Sequence, residues 1–97
     1  MIEFTAEASR HVSDLRLHDE ALSRFEALRN LDIALDTAVS RIAQGEPGLA
    51  APGPYPQLAS HGRAWIKSGR YWIAYLTKSP PVVVGVFYET ADIPNRL

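Results

Sequence analysis

The sequence predicts an α+β domain in which two antiparallel N-terminal helices pack on a small antiparallel β-sheet of three to four strands. Three observations support this prediction. Apolar residues recur at spacings of three and four through residues 8–42, they alternate with period two through residues 64–76, and a β-branched run follows at residues 82–88. The length of 97 residues, with 46% apolar and 22% charged, is typical of one compact unit, so we expect residues 1–97 to form a single domain.

The first helix is predicted from an apolar stripe that follows a short apolar alternation at the N-terminus, itself compatible with one short strand. Ala8, Val12 and Leu15 recur at spacings of four and three, as residues on one face of a helix do. The hydroxyl of Thr5 can accept a backbone N–H that the first helical turn leaves unpaired, so Thr5 is predicted to be the N-cap. We expect this helix to end near Leu17.

The second helix has the strongest helical pattern in the sequence. Asp19 is expected to cap its N-terminus. Its apolar residues are all separated by three or four positions and are expected to form one buried face: Phe25, Leu28, Leu31, Leu35, Val39 and Ile42. Gly45 can adopt the left-handed conformation of a C-cap and Pro47 cannot continue a helix, so the helix should end just before Gly45.

The second half of the chain is predicted to form strands. Residues 46–58 contain four of the seven prolines and should be an ordered connection without regular structure. Residues 64–77 then alternate with period two on either side of Ser68 and Gly69, which predicts a β-hairpin with a Ser-Gly turn. Residues 82–88 are expected to form a central strand of the sheet. The three strands of the second half are expected to form an antiparallel meander.

Composition excludes several classes of protein. The chain has no cysteine, so disulfides, thiolate zinc sites and a cysteine nucleophile are excluded. Its three histidines are scattered without ligand spacing, and we expect no metal and no cofactor. The apolar run at residues 82–87 is far shorter than the roughly 18–20 residues of a membrane-spanning helix, and the N-terminus lacks a secretion signal pattern. We therefore expect a cytoplasmic protein that does not contact a membrane.

The two halves of the chain differ in charge. Residues 1–47 carry five Lys/Arg against nine Asp/Glu, a balance of −4, whereas residues 48–97 carry five against two, a balance of +3. A basic half can meet a phosphate backbone or an acidic partner, but this charge is spread over half of the chain and produces a weak field. Most such imbalances are solvated surface, so charge alone does not identify a partner.

No catalytic motif of recognised spacing is present, but basic and aromatic residues cluster on the hairpin and the last strand. They are Arg63, Trp65, Lys67, Arg70, Tyr71, Trp72, Tyr75 and Tyr88. Cations and aromatic rings together are what single-stranded RNA binding uses. Alternatively the rings are structural, since strand aromatics pack in cores. One face should hold Tyr71, Ile73 and Tyr75 and the other Arg70, Trp72, Ala74 and Leu76, and the pattern leaves open which face is buried.

The C-terminal half resembles the RelE/ParE superfamily, the toxins of type II toxin–antitoxin modules. The family pattern is a basic strand, a turn, an Arg-Tyr-Arg-Ile-x-Tyr-like strand and a Val-rich final strand. Residues 67–75 (Lys-Ser-Gly-Arg-Tyr-Trp-Ile-Ala-Tyr) and 80–96 (Pro-Pro-Val-Val-Val-Gly-Val-Phe-Tyr-Glu-Thr-Ala-Asp-Ile-Pro-Asn-Arg) are similar to it, and residues 31–44 resemble the long second helix. The resemblance covers most of the chain.

The resemblance implies a toxin, and the family contains two mechanisms. RelE-like members cleave mRNA in the ribosomal A site with several basic residues, whereas ParE-like members poison DNA gyrase and need no nuclease site. Here Trp72 replaces an arginine of the pattern, and Glu89 lies where nucleases place Arg or Lys. These departures favour a ParE-like gyrase toxin. Ribosome-dependent mRNA cleavage is the alternative, and a non-toxic interaction module is a third hypothesis, so whether the chain is an enzyme stays open.

The resemblance also implies a contact surface and a partner. The target-binding residues are predicted to be Arg63, Lys67, Arg70, Tyr71, Trp72 and Tyr88. The partners would be a cognate antitoxin and DNA gyrase, or in the alternative the ribosome and mRNA. An antitoxin segment typically binds as a helix in a groove or as a strand added to a sheet edge. Asp92-Ile93-Pro94 resembles a motif of one subgroup, and a capped turn that closes the C-terminus is its simpler interpretation.

Overall fold

The computed structural model describes residues 2–91 and 93–96 and confirms the α+β class. Two N-terminal helices precede three long strands, and a two-residue strand lies at the start. The elements are β1 (Glu3–Phe4), α1 (Ala6–Ala21), α2 (Phe25–Ala43), β2 (Arg63–Ser68), β3 (Tyr71–Leu76), β4 (Val82–Tyr88) and the short helix α3 (Ile93–Arg96). No helix in this described part of the chain is long and apolar enough to cross a membrane.

The sheet has four strands in the order β1-β4-β3-β2, so β4 is an inner strand, as expected. β2, β3 and β4 are antiparallel neighbours, but β1 runs parallel to β4, with Glu3 opposite Val82 and Phe4 opposite Val83. The expectation of a purely antiparallel sheet is therefore wrong at β1. Parallel neighbours need a long crossover connection, and the two helices and the hairpin supply it between β1 and β4.

The helical hairpin differs from expectation at its turn. Thr5 caps α1 as predicted, since its Oγ1 accepts the N–H of Ala8 at 3.1 Å. However, α1 continues past Leu17 to Ala21, and Asp19 lies inside α1 and does not cap the second helix. Asp19 is in register with the apolar stripe of α1 and is itself buried. The turn between the helices contains Ser23, whose φ of 52° is left-handed.

Helix α2 buries a face that is rotated from the predicted one. Leu31, Ala34, Ala38 and Ile42 are buried, whereas Phe25 is 71% exposed, so its predicted place in the core is wrong. Phe25 lies nine residues before Ala34, or about two and a half helical turns, which places the two residues on opposite sides of the helix. The helix ends as predicted, with Gly45 at a φ of 79°.

The hairpin turn is shifted by one residue from the predicted Ser-Gly turn. Ser68 still belongs to β2, where it pairs with Tyr71, and the turn consists of Gly69 and Arg70. Gly69 supplies the positive φ, 57°, that two-residue hairpin turns need at a central position. Ser68 is buried because its Oγ donates to the carbonyl of Ala34 at 2.7 Å, which ties the hairpin to α2.

Both faces of the sheet are buried, which answers the question that the alternating pattern left open. Tyr71, Ile73 and Tyr75 pack against the two helices. On the opposite face, Trp65, Trp72, Ala74, Phe87 and Ile93 form a second cluster. The proline-rich connection covers this second cluster with Tyr55 and Leu58. Of the Asp92-Ile93-Pro94 motif, Asp92 lies outside the described residues, and Ile93 is fully buried at the start of α3.

Several backbone groups of β2 and β4 that do not pair with a neighbouring strand have partners elsewhere in the chain. On the β2 edge, the backbone of Trp65 exchanges two hydrogen bonds with Leu49, at 2.7 and 2.8 Å, and the carbonyl of Lys67 accepts from Arg41 at 2.9 Å. β1 covers only the first two residues of β4. Further along the same side of β4, Nδ1 of His11 accepts the N–H of Val86 at 3.3 Å. The connection and the helices therefore occupy edge positions that another strand would need.

Candidate functional site at the hairpin tip

Arg63, the first predicted cation, supports the proline-rich connection. Its Nη2 donates to the carbonyl of Leu58 at 2.9 Å, and its guanidinium lies 5.6 Å from the centre of the Trp65 ring. Its Nε is buried and has no partner among the described residues. Arg63 begins β2, about 13 Å along the strand from Lys67, so it does not join the other two cations at the hairpin tip.

Lys67 and Arg70 share one carboxylate. Nζ of Lys67 lies 3.1 Å from Oε2 of Glu89, and Nη1 of Arg70 lies 4.0 Å from Oε1 of the same residue. Lys67 is half-buried and its Nζ is 5.4 Å from the centre of the Trp72 ring, whereas the Arg70 side chain is 72% exposed. These contacts leave Arg70 as the more accessible of the two cations.

The phenol of Tyr88 completes this group. Nη1 of Arg70 donates to the Tyr88 hydroxyl at 3.4 Å. This hydrogen bond, together with electrostatic interactions with Tyr88 and Glu89, raises the pKa of Arg70 above its ordinary value, so the guanidinium keeps its charge. The hairpin tip thus presents one accessible cation beside a hydroxyl and a carboxylate.

The predicted aromatic residues lie on opposite faces of the sheet. Tyr71 is 4% exposed and contacts Tyr88 edge-on at 5.5 Å between ring centres, on the face that packs against the helices. Burial is the main cause that raises the pKa of Tyr71, and electrostatic interactions with Asp19 and Tyr88 add to the shift, so its hydroxyl stays protonated. Trp72 is 7% exposed in the second cluster. The structure brings together Lys67, Arg70, Tyr88 and Glu89, and it buries the rings of Tyr71 and Trp72.

Two residues with clear roles at this end of the sheet were not found from the sequence. Arg41 donates to both carboxylate oxygens of Glu46, at 2.9 and 2.8 Å, while its Nη1 donates to the carbonyl of Lys67. The hydrogen bond from Arg41 lowers the pKa of Glu46, and the one to Glu46 raises the pKa of Arg41. The only available signal was a basic residue in the last turn of the second helix followed by an acid before Pro47, which is too common to indicate a contact with β2.

A surface groove of about 830 Å³ runs beside the hairpin tip along one flank of α2. We call it the α2 groove. Its walls include Phe25, Asn30, Ile33 and Thr37 of α2, and Arg70 and Tyr88 on the opposite side. A second cleft of about 750 Å³ lies between α1 and β4 and shares Arg24, Ala27, Tyr71 and Tyr88 with the α2 groove. The hairpin tip therefore borders both of these surface depressions through Tyr88.

Comparisons with protein-family models, with curated proteins and with solved structures find no match to this chain. The resemblance to RelE/ParE toxins accordingly rests on the residues and spacings of the sequence. The order of elements, two helices followed by the strands, is compatible with that resemblance.

Proposed function

We propose that this protein is the toxin of a type II toxin–antitoxin module, that it acts on DNA gyrase as ParE-like toxins do, and that a cognate antitoxin neutralises it. The resemblance of residues 67–75 and 80–96 supports the toxin class. The two helices packed on a small sheet support it further, because this is the architecture that the resemblance implies.

The single observation that carries the choice of gyrase is the position of Glu89 between Lys67 and Arg70. A nuclease that lets a ribose oxygen attack a phosphate must stabilise additional negative charge in the transition state, which requires free cations aimed at the phosphate. Here Glu89 pairs with Lys67 at 3.1 Å and lies 4.0 Å from Arg70, so its negative charge opposes an incoming phosphate. Arg63 is held by the connection. Such a surface suits a protein target better than a phosphate undergoing cleavage.

Ribosome-dependent mRNA cleavage is the second candidate, and one contact favours it. Arg70 and the hydroxyl of Tyr88 lie 3.4 Å apart at an accessible position. A cation beside a phenol is a pair that can stabilise a phosphate and transfer a proton. This pair is smaller than the set of basic residues that the RelE-like mechanism uses, so we rank this candidate second.

The test is induced expression with two readouts in the same cells. We expect growth to stop, a DNA-damage reporter to respond, and co-expression of the neighbouring small gene to restore growth. Purified protein should then inhibit supercoiling by DNA gyrase. Codon-phased cuts in translated mRNA with no effect on gyrase would favour the second candidate. Normal growth at high levels of folded protein would contradict the toxin proposal altogether and favour an interaction module.

A further inference from the structure

Asp19 is a carboxylate at a position where the fold favours an apolar residue. It continues the stripe of Ala8, Val12 and Leu15 on the buried side of α1, and it is 7% exposed. Within residues 2–91 and 93–96 its carboxylate makes no hydrogen bond and no ion pair. Removing a charge from water without giving it a partner costs free energy. Natural proteins accept such local conflicts at functional sites, so Asp19 is a candidate for a function apart from folding.

Asp19 and Arg24 also carry the wrong charges for the helix ends beside them. Asp19 lies in the last turn of α1, where the helix dipole is negative, and Arg24 is the N-cap of α2, where the dipole is positive. The N–H of Arg24 donates to the carbonyl of Asp19 at 2.8 Å, so the two residues are neighbours. Their side chains nevertheless form no ion pair in the described structure. Two opposite charges are thus held at one turn without neutralising each other.

Both residues line the second cleft of about 750 Å³, which we call the α1–β4 cleft. Tyr71, whose hydroxyl interacts electrostatically with Asp19, also lines it. One wall carries the ring of Phe87, which lies 4.8 Å from that of His11. Aromatic walls with a few polar groups, at a volume of several hundred Å³, are typical of small-molecule sites.

The charged side chains around this cleft balance one another. The charged and histidine residues that line it are Arg10, Arg24, Asp14, Asp19, His11 and His18. Arg10 already lies 3.8 Å from Glu7, and Asp14 is exposed. The acids and histidines of the described residues form no group that could hold a metal ion. A ligand that contacted both Asp19 and Arg24 would therefore carry one positive and one negative group.

From these observations we propose that the α1–β4 cleft binds a small zwitterion, of which a free α-amino acid is the simplest, with its ammonium group on Asp19 and its carboxylate on Arg24. In this orientation the ammonium group lies at the negative end of α1 and the carboxylate at the positive end of α2. The ligand thus supplies the charges that both helix dipoles favour. The proposal concerns a site away from the cations of the hairpin tip and does not depend on toxicity or on gyrase.

The first measurement asks whether Asp19 opposes folding. Asp19→Asn keeps the size of the side chain and removes its charge, so the thermal midpoint without ligand should rise. Asp36→Asn is the matched control, because Asp36 is exposed on α2 and does not line the cleft, and its midpoint should stay unchanged. An unchanged or lower midpoint in Asp19→Asn would show that the carboxylate does not oppose folding, and the proposal would then be overturned.

The second measurement is an NMR titration of the isotope-labelled protein with each of the standard free amino acids. We expect at least one of them to shift the amide signals of residues that line the cleft. Its affinity should fall about tenfold in Asp19→Asn and in Arg24→Gln, the effect of losing one charged contact. Arg29→Gln is the control for Arg24, because Arg29 is exposed on α2 and lies outside the cleft.

Analogues that lack one charge test the zwitterion directly. For L-leucine they are 3-methylbutylamine, which lacks the carboxylate, and 4-methylpentanoate, which lacks the ammonium group. Both should bind about tenfold more weakly than the amino acid. Absence of binding by every amino acid, equal affinity of the amine and the amino acid, or unchanged affinity in Asp19→Asn and Arg24→Gln would each overturn the proposal.

Discussion

At the residue scale, the Arg70 side chain is exposed and makes only two weak contacts. It should therefore contribute little to the stability of the fold, so a role in function can be tested without unfolding the protein. Its ion pair with Glu89 is 4.0 Å long and its hydrogen bond to Tyr88 is 3.4 Å. Solvent screens such contacts, so their removal should leave the fold intact. Arg63 is different, because it donates to the carbonyl of Leu58 and a substitution there would also change a structural contact.

We expect Arg70→Ala to lower toxicity on induced expression while the thermal midpoint stays unchanged. Lys78→Ala removes a cation at the opposite end of β3 and should leave toxicity unchanged. The measurements are growth after induction and the thermal midpoint of each purified variant. Equal toxicity of Arg70→Ala and the parent protein would remove Arg70 from the target-binding set.

Ser23 contributes backbone strain at the turn between the helices. Its φ of 52° lies in the left-handed region, which costs a residue with a Cβ roughly 1–2 kcal/mol. We expect Ser23→Gly to raise the free energy of unfolding by about 0.5–1 kcal/mol, since glycine removes the strain but loses more chain entropy on folding. Urea denaturation measures this change.

Ser13→Gly is the matched control, because Ser13 is an exposed serine inside α1. There the same substitution should lower stability by roughly 0.5 kcal/mol, the difference in helix propensity between the two residues. Changes of the same sign at both positions would refute the assignment of strain to Ser23.

At the scale of elements, α1 is attached to the sheet through His11 where β1 ends. The imidazole accepts the N–H of Val86, and its ring centre is 4.8 Å from that of Phe87. β1 pairs only with the first two residues of β4. Further along β4, the N–H of Val86 is instead bonded by His11 of α1. Without that acceptor, the N–H of Val86 would be left unpaired in a partly buried place.

We expect His11→Ala to lower the free energy of unfolding by about 1–3 kcal/mol, the usual cost of leaving a buried donor unsatisfied. His18→Ala is the control, because His18 is exposed on the same helix and should tolerate the change. Chemical denaturation of both variants, with hydrogen exchange at Val86, tests the assignment. Equal stability of the two variants would show that His11 does not hold α1 to β4.

The end of α2 is joined to β2 by Arg41, whose geometry depends on Glu46. The hydrogen bond from Arg41 lowers the pKa of Glu46, so the folded state favours the charged carboxylate. This contribution to stability is present above the ordinary glutamate pKa of roughly 4.3 and is lost as pH falls through the lowered folded value. Glu46→Gln should therefore differ most from the parent protein near pH 7.

The measurement is the difference in unfolding free energy between Glu46→Gln and the parent protein from pH 7 to pH 3. We expect this difference to shrink towards pH 3, where the carboxylate of the parent protein becomes protonated. Glu3→Gln serves as the control, because Glu3 is exposed. A difference that is constant over the whole range would show that the Arg41 contact is not linked to this carboxyl.

At the scale of the whole molecule, a four-stranded sheet is covered on both faces, by helices on one side and by the proline-rich connection on the other. Two phenols, Tyr71 and Tyr75, are buried in the helix-side core at 4% and 5% exposure. Burial is the main cause that raises the pKa of each. Ionisation of these two tyrosines therefore destabilises the folded state.

A raised folded pKa means that the unfolded chain releases these protons first. The stability they contribute is fully present below the ordinary tyrosine pKa of roughly 10 and is lost as pH rises above it. We expect urea midpoints to fall above pH 10, and to fall less steeply in Tyr71→Phe than in the parent protein. Equal slopes for the two proteins would contradict a role for Tyr71 in alkaline unfolding.

Local sequence chemistry determined much of this fold. The cap at Thr5, the glycine that ends α2 and the residues of β4 could all be placed from the sequence, because capping, left-handed backbone and β-branched runs act over a few neighbouring residues. The α+β class followed from the change of period between the two halves. The candidate cations could also be found, since charged residues around a turn are visible as a pattern.

Only the tertiary structure decided the remaining features, and in each case the reason is a contact between distant residues. β1 is parallel because its neighbour is β4, and Phe25 is exposed because the sheet meets a different side of α2. Glu89 reaches Lys67 and Arg70 only because β3 and β4 align Tyr71 with Tyr88. Periodicity describes one element at a time, whereas burial and charge pairing depend on which elements meet.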